Sequence, residues 1–284
     1  MNIMKNILLL LTLILFTMTT SYAQQKPTTS GYAPVNGLKL YYETYGEGTP
    51  LVLIHGSFMN IGMNWGQLIP ALSKSHKVIA LEMQGHGRTA DIDRAYSYEG
   101  LAGDVAGLLN YLNIKQADVV GYSLGGTIAY QLAIAHPEMI KKLIIISGVY
   151  KTAGWLPQVQ QAIKGLTPET LAQTPLKQAY DALAPDPSHW AAFIKKLMIL
   201  EGKDFDLGDD HIKHLPPTLL IMGDNDGSDL QYTAHTYHLM GGGVCGDLEG
   251  LPKSQLAILP GVTHVSLMME TAKLTGLILP FIDK

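Results

Sequence analysis

The chain has one cysteine, few charges and no excess of basic residues. Among 284 residues only Cys245 carries a thiol, so no internal disulfide can form and the domain must rest on its packed core. Charged residues make up 15% of the chain against 47% hydrophobic ones, which excludes the balance of a disordered chain or a long coiled coil. A formal net charge of −4 leaves no basic stripe for phosphates, so nucleic acid is not an expected partner. No internal repeat, low-complexity block or polar linker divides the chain.

Its one long apolar run lies at the start. Lys5 precedes Ile7 to Phe16, polar residues follow, and Ser21-Tyr22-Ala23 sets small residues where a signal peptidase reads them. Residues 1–23 are expected to be a cleaved export signal, because a retained span needs about 20 apolar residues. Cys245 lies far from the cleavage site, so no cysteine stands directly after it to carry a lipid. The remaining residues 24–284 hold 19 basic against 24 acidic side chains, a formal −5, and should be exported, periplasmic or secreted, with no membrane anchor.

Asn36-Gly37 tolerates the positive φ angles of a tight turn and separates two strand-like stretches, 32–35 and 38–45, an expected antiparallel hairpin. Short apolar runs then recur at 51–54, 78–81, 118–120, 143–146, 218–222 and 256–259, as strands covered on both faces require. Helical patterns lie between them. Leu101, Val105, Leu108, Leu109 and Leu112 share one face behind Ser97, a natural N-cap, and the stretch from Leu124 to Ala135 stops before Pro137. Strand and helix in alternation predict an α/β fold built on a mostly parallel sheet. From about Val149 to Leu215 the rhythm breaks. Thr167-Pro168 and Asp186-Pro187 each pair an N-cap residue with proline at the first helical position, and Trp190, Phe193, Ile194 and Leu197 fall on one helical face. A helical cap inserted between two sheet strands is expected.

Gly121-Tyr122-Ser123-Leu124-Gly125 directly follows one expected strand and directly precedes a helix. In a chain with 29 glycines the bare pattern is weak, and the placement carries it. A sharp strand-to-helix turn exposes the Ser123 hydroxyl, and small neighbours let that turn close. A hydroxyl needs a base, and His264, just after the last run, is the best placed histidine. The base in turn needs an orienting acid, which the end of the run at 218–222 supplies in Gly223-Asp224-Asn225-Asp226, with Asp229 close behind.

With His55-Gly56-Ser57 and Gln84-Gly85-His86-Gly87-Arg88-Thr89 added, these motifs in this order resemble the α/β-hydrolase family over essentially all of residues 31–284. The resemblance implies a Ser123, His264 and Asp226 triad, with Asp224 and Asp229 as the other acids to weigh, since no proline closes the stretch after Asp226 as it often does in the family. It also implies oxyanion donors at the backbone N–H groups of Leu124 and Ser57, or of Phe58 if the turn is shifted by one residue. No cofactor or metal is called for. Phe58, Tyr122 and Trp155 are the candidates to line a substrate pocket, while Met59, Trp65 and Trp190 have a better claim to plain packing. His86 reads as a structural hydrogen-bonding residue, and the pairs His211/His214 and His235/His238 as solvated helix residues.

The implied activity is hydrolysis of a small-molecule carboxylic ester or lactone through an acyl-serine. Gly241-Gly242-Gly243 and the general pattern are similar to small serine esterases, some of which open the lactone rings of macrolide antibiotics. Serine rather than aspartate at the turn argues against haloalkane and epoxide chemistry. Carbon–carbon bond hydrolases share the triad and the His-Gly-Ser loop, and a ligand-binding relative without turnover is the reading from another class.

Overall fold

The computed structural model describes residues 25–284, so the expected signal at 1–23 lies outside it. Eight strands form one sheet: β1 Thr29–Val35, β2 Leu38–Tyr45, β3 Thr49–Ile54, β4 His76–Leu81, β5 Ala117–Tyr122, β6 Ile140–Ile146, β7 Thr218–Asn225 and β8 Gln255–Thr263. Their order across the sheet is β1-β2-β4-β3-β5-β6-β7-β8. β1 and β2 pair antiparallel around Asn36 and Gly37, both at positive φ, and from β4 to β8 every pairing is parallel.

The two-residue period of a strand sends neighbouring side chains to opposite faces. Val52, Ile54, Leu143 and Ile145 pack on one side with the helices Tyr98–Tyr111 and Leu124–Ala135, while Leu51, Leu53, Ile144 and Ile146 pack on the other with Ile61–Trp65, Ile69–Leu72 and Thr271–Ile282. Both faces are thereby dry, which is why these strands read as unbroken apolar runs. Ser97 starts the first of these helices by accepting from the Gly100 N–H at 2.9 Å.

The last two strands run further than their apolar cores. β7 continues through Gly223, Asp224 and Asn225, and β8 through Pro260 to Thr263, with an irregular register between Gly223 and Asn225. Pro260 is tolerated because β8 is an edge strand, where a missing N–H breaks no ladder. These extensions bring the chain at Asp226 and His264 to the same end of the sheet.

Between β6 and β7 stand the helices Pro157–Lys164, Pro168–Leu171, Pro175–Leu183, Trp190–Glu201 and Asp209–Lys213. Thr167 closes a reciprocal capping box with Thr170, and Asp186 caps a 3-10 turn that leads into the fourth helix. Trp190 packs against Tyr180 and Phe193 and donates from Nε1 to the Pro168 carbonyl at 3.0 Å. No helix among the described residues is long and apolar enough to cross a membrane.

Candidate active site

β5 ends at Tyr122 and the next helix begins at Leu124, leaving Ser123 alone to make the turn at φ 54° and ψ −119°. That is the left-handed side of backbone space, costly for a residue with a Cβ. Neighbouring glycines allow it: a Cβ on Gly125 would stand 2.1 Å from the Ile54 carbonyl oxygen, and one on Gly121 would stand 2.2 Å from that of Gly125. The turn delivers the Ser123 Oγ to the rim of the sheet.

There it meets His264. Nε2 of the imidazole lies 3.0 Å from the Ser123 Oγ, and Nδ1 lies 2.8 Å from Oδ1 of Asp226. A carboxylate only accepts, so the neutral ring carries its proton on Nδ1 and presents a free lone pair to the serine. Asp226 is buried and held on every side. Ser228 N–H donates to Oδ1 at 3.0 Å and the Ser147 hydroxyl donates to Oδ2 at 2.5 Å. Burial alone would raise this carboxyl, but the charge and hydrogen bond of His264, joined by Ser147 and Ser228, outweigh it and hold the group far below the usual carboxylate range.

The other two acids have different tasks. Asp224 is exposed and accepts from the Gly261 N–H at 2.8 Å, tying β7 to β8. Asp229 caps the helix Leu230–Leu239 by accepting from the Tyr232 N–H at 2.7 Å.

A cavity of about 260 Å³ opens on the Ser123 hydroxyl. Ser57, Phe58, Tyr122, Leu124 and Trp155, all singled out from the sequence, line it, and so does Met59. Leu124 is the first residue of its helix, where N–H groups lack intrahelical acceptors and the helix end carries partial positive charge. The loop bearing Ser57 is held by buried His55, which shares a 2.8 Å hydrogen bond with the Gly56 carbonyl through Nδ1 and accepts the Met83 N–H at Nε2. The second bond needs a neutral ring, because a protonated imidazole has no acceptor nitrogen. Burial, aided by His86 beside it, lowers His55 to about 3 and so keeps it neutral. Phe58 turns the loop at φ 61°.

Tyr122 and Trp155 touch His264 as well as the cavity, while Trp65, Trp190 and the other histidines lie away from it. Tyr122 stands in the cavity wall, yet its hydroxyl is committed to the His264 carbonyl oxygen at 3.0 Å, so it braces the histidine as well. Trp155 sets its ring edge-on to the imidazole, 5.6 Å between centroids. Trp65 and Trp190 are buried in packing away from the cavity. His86 is buried against His55 and Phe193 and bonds the Gln84 carbonyl. His211, His214, His235 and His238 are exposed on two helices.

Two residues escaped the sequence reading. Ser147, at φ 51° just beyond β6, carried no signal, because its role depends on Asp226, 79 positions away. Glu201 did carry one: it continues the stripe of Trp190, Phe193, Ile194 and Leu197, a carboxyl on an otherwise apolar face. It lines the cavity, and the Ser57 hydroxyl donates to it. Burial raises it to about 7, although Ser57 and His264 both act to lower it.

A family model for the alpha/beta hydrolase fold matches residues 49–189. Similar proteins include one of Azorhizobium caulinodans named for carbamate hydrolysis (RutD), 31% identical over 194 residues that cover 67% of this chain and 69% of that protein. The 2-hydroxymuconate semialdehyde hydrolase of Pseudomonas sp. strain CF600 is 39% identical over 113 residues, 39% of this chain, and the match spans only 40% of that enzyme. Among solved structures, a 2-hydroxy-6-oxo-6-phenylhexa-2,4-dienoate hydrolase from Rhodococcus sp. strain RHA1 superposes with a TM-score of 0.72 over 90% of this chain and 99% of that one. At 17% identity that likeness is one of fold.

Proposed function

The chain belongs to the alpha/beta-hydrolase family, and from that premise we propose that it is an exported serine hydrolase of small, uncharged or cationic carboxylic esters or lactones. The observation that carries this reading is the continuous line of hydrogen bonds from Ser123 Oγ through the His264 ring to Asp226. His264 Nε2 takes the hydroxyl proton as Oγ attacks the ester carbonyl, and Asp226 steadies the imidazolium that results. The oxyanion of the tetrahedral intermediate meets the N–H groups of Leu124 and Ser57, each such donor being worth about 3–4 kcal/mol. Collapse breaks the ester C–O bond as His264 returns the proton to the departing alcohol. A water, deprotonated by the same nitrogen, then releases the acid from Ser123.

Carbon–carbon bond hydrolysis is the second reading, favoured by the likeness to the semialdehyde hydrolase. Muconate and dienoate are carboxylate names, and a carboxylate substrate is favoured by a cation in its pocket and disfavoured by a second acid. Among the described residues neither Lys nor Arg lines this cavity, and Glu201 adds an acid. That electrostatic mismatch ranks the ester reading first. Export rests on residues 1–23, and N-terminal sequencing of protein recovered from outside the cytoplasm would find the chain starting near Gln24.

The decisive experiment treats the protein with a fluorophosphonate, locates the adduct by mass spectrometry, and then screens p-nitrophenyl esters, macrolactones and vinylogous diketones. An adduct on Ser123 with ester turnover, both lost in Ser123→Ala, is the expected result. Absence of label and turnover would point to a binding protein that kept the fold, while turnover of diketones alone would favour carbon–carbon cleavage.

A further inference from the structure

Glu201 has no evident structural need for its charge. It closes the helix Trp190–Glu201 on the inward stripe, where every other member is apolar. Its carboxyl faces the cavity, with the Ser57 hydroxyl as donor, and no lysine or arginine among the described residues lines that space. Tyr98 is close enough for the Glu201 charge to help raise its hydroxyl, after burial, which is the larger cause. His264 is the other ionisable side chain acting on the carboxyl. The rest of the wall is largely aromatic and aliphatic, including Phe58, Trp155 and Val159.

A largely desolvated carboxylate with one hydroxyl donor and no cation is expensive, since a single neutral hydrogen bond repays little of its lost hydration. A helix that only needed to pack would end its stripe with leucine or methionine. Carboxylate plus aromatic faces, by contrast, is the combination that receives an ammonium group: Coulomb attraction from the acid, and attraction of the ring faces for a cation. We propose that Glu201, with Tyr98 and the neighbouring aromatic wall, forms a cation subsite, so that the preferred ester carries an amine or quaternary ammonium group near its scissile carbonyl. This rests on the ester-hydrolase reading for the bond that breaks, though not for the binding of the cation. Ser57 gives the subsite a direct link to the oxyanion loop, because the residue whose N–H faces the oxyanion also holds the acid through its side chain.

The test compares choline butyrate with its uncharged isostere 3,3-dimethylbutyl butyrate. A second pair moves the charge to the acyl side, setting methyl 4-(trimethylammonio)butyrate against methyl 5,5-dimethylhexanoate. The ratio of kcat/KM within each pair cancels effects on His264 and the oxyanion loop. In the native enzyme near pH 8 one cationic member should be preferred by about tenfold or more. In Glu201→Gln, which keeps a hydrogen-bonding partner for Ser57, the ratio should collapse towards one, and in Glu201→Asp part of it should survive. Should Glu201→Gln fail to fold, the native ratio must still decline between about pH 8 and pH 6 as the carboxyl takes up a proton. Ratios near one in both pairs, or a preference unchanged by Glu201→Gln or by pH, would overturn the proposal and leave Glu201 a strut for Ser57. If no ester is turned over and no fluorophosphonate adduct forms, the hydrolase reading fails. Calorimetry with tetramethylammonium then decides the subsite alone: binding lost in Glu201→Gln upholds it, and no binding to the native protein refutes it.

Discussion

Ser123 holds a backbone setting that costs about 1–3 kcal/mol, and the surrounding turn leaves it no alternative. The same economy of position separates the three aspartates near the end of β7. Only Asp226 faces Nδ1 of His264, while Asp224 and Asp229 bond backbone N–H groups. Asp226→Asn should therefore lower kcat by about 10⁴-fold, because an amide at that place favours the wrong tautomer, whereas Asp224→Asn should stay within about tenfold. Steady-state kinetics on a p-nitrophenyl ester reads both, and equal losses would contradict the assignment. Glu201 makes a prediction about stability. Its carboxyl is raised by burial to about 7 from an ordinary 4.5, so the folded chain keeps a proton that the unfolded chain releases. Stability is then fullest below about pH 4.5 for this group and is lost as pH rises towards 7, by about 3 kcal/mol for such a shift. Denaturant titrations of the native protein and Glu201→Gln across that window should diverge by this amount, since Glu82 and Asp118, also raised by burial, are common to both.

The strand-turn-helix formed by β5, Ser123 and Leu124–Ala135 tolerates almost no added volume. Gly125→Ala would drive a methyl group into the Ile54 carbonyl oxygen on β3, and backbone cannot step aside as a side chain can. The expected outcome is a lower melting temperature together with loss of fluorophosphonate labelling, read by calorimetry and mass spectrometry on the same sample. Helix limits were well marked in the sequence wherever a cap or a proline set them: Ser97 begins one helix, Thr167 another, and the helix from Leu124 ends at Ala135, short of Pro137. Strand ends were not. The apolar signal fades at Met222 and Leu259, yet β7 and β8 continue to Asn225 and Thr263 because each supplies the other with a hydrogen-bonding edge. A pairing partner leaves no trace in a strand's own residues.

Across the whole molecule, the sheet supplies the rim and the helices between β6 and β7 supply the roof. The cavity they enclose, about 260 Å³, falls below the 300–1,000 Å³ that drug-sized ligands usually occupy. Short esters should thus be turned over faster than bulky ones, and macrolactones should require the cap to move. A kcat/KM series over lengthening acyl chains, followed by a macrolactone, measures this, and a macrolactone preferred over butyrate esters would show that the cap opens readily. The residue pattern by itself determined the alternation of strands and helices, the serine turn and the identity of its histidine, since each is written in periodicity, glycine placement or chain order. Only the tertiary structure decided which aspartate serves His264, that Ser147 supports it, and that Glu201 faces the cavity. Those are matters of contact across 38 to 144 positions, and the distance between side chains so far apart in sequence is set by how the sheet and cap pack.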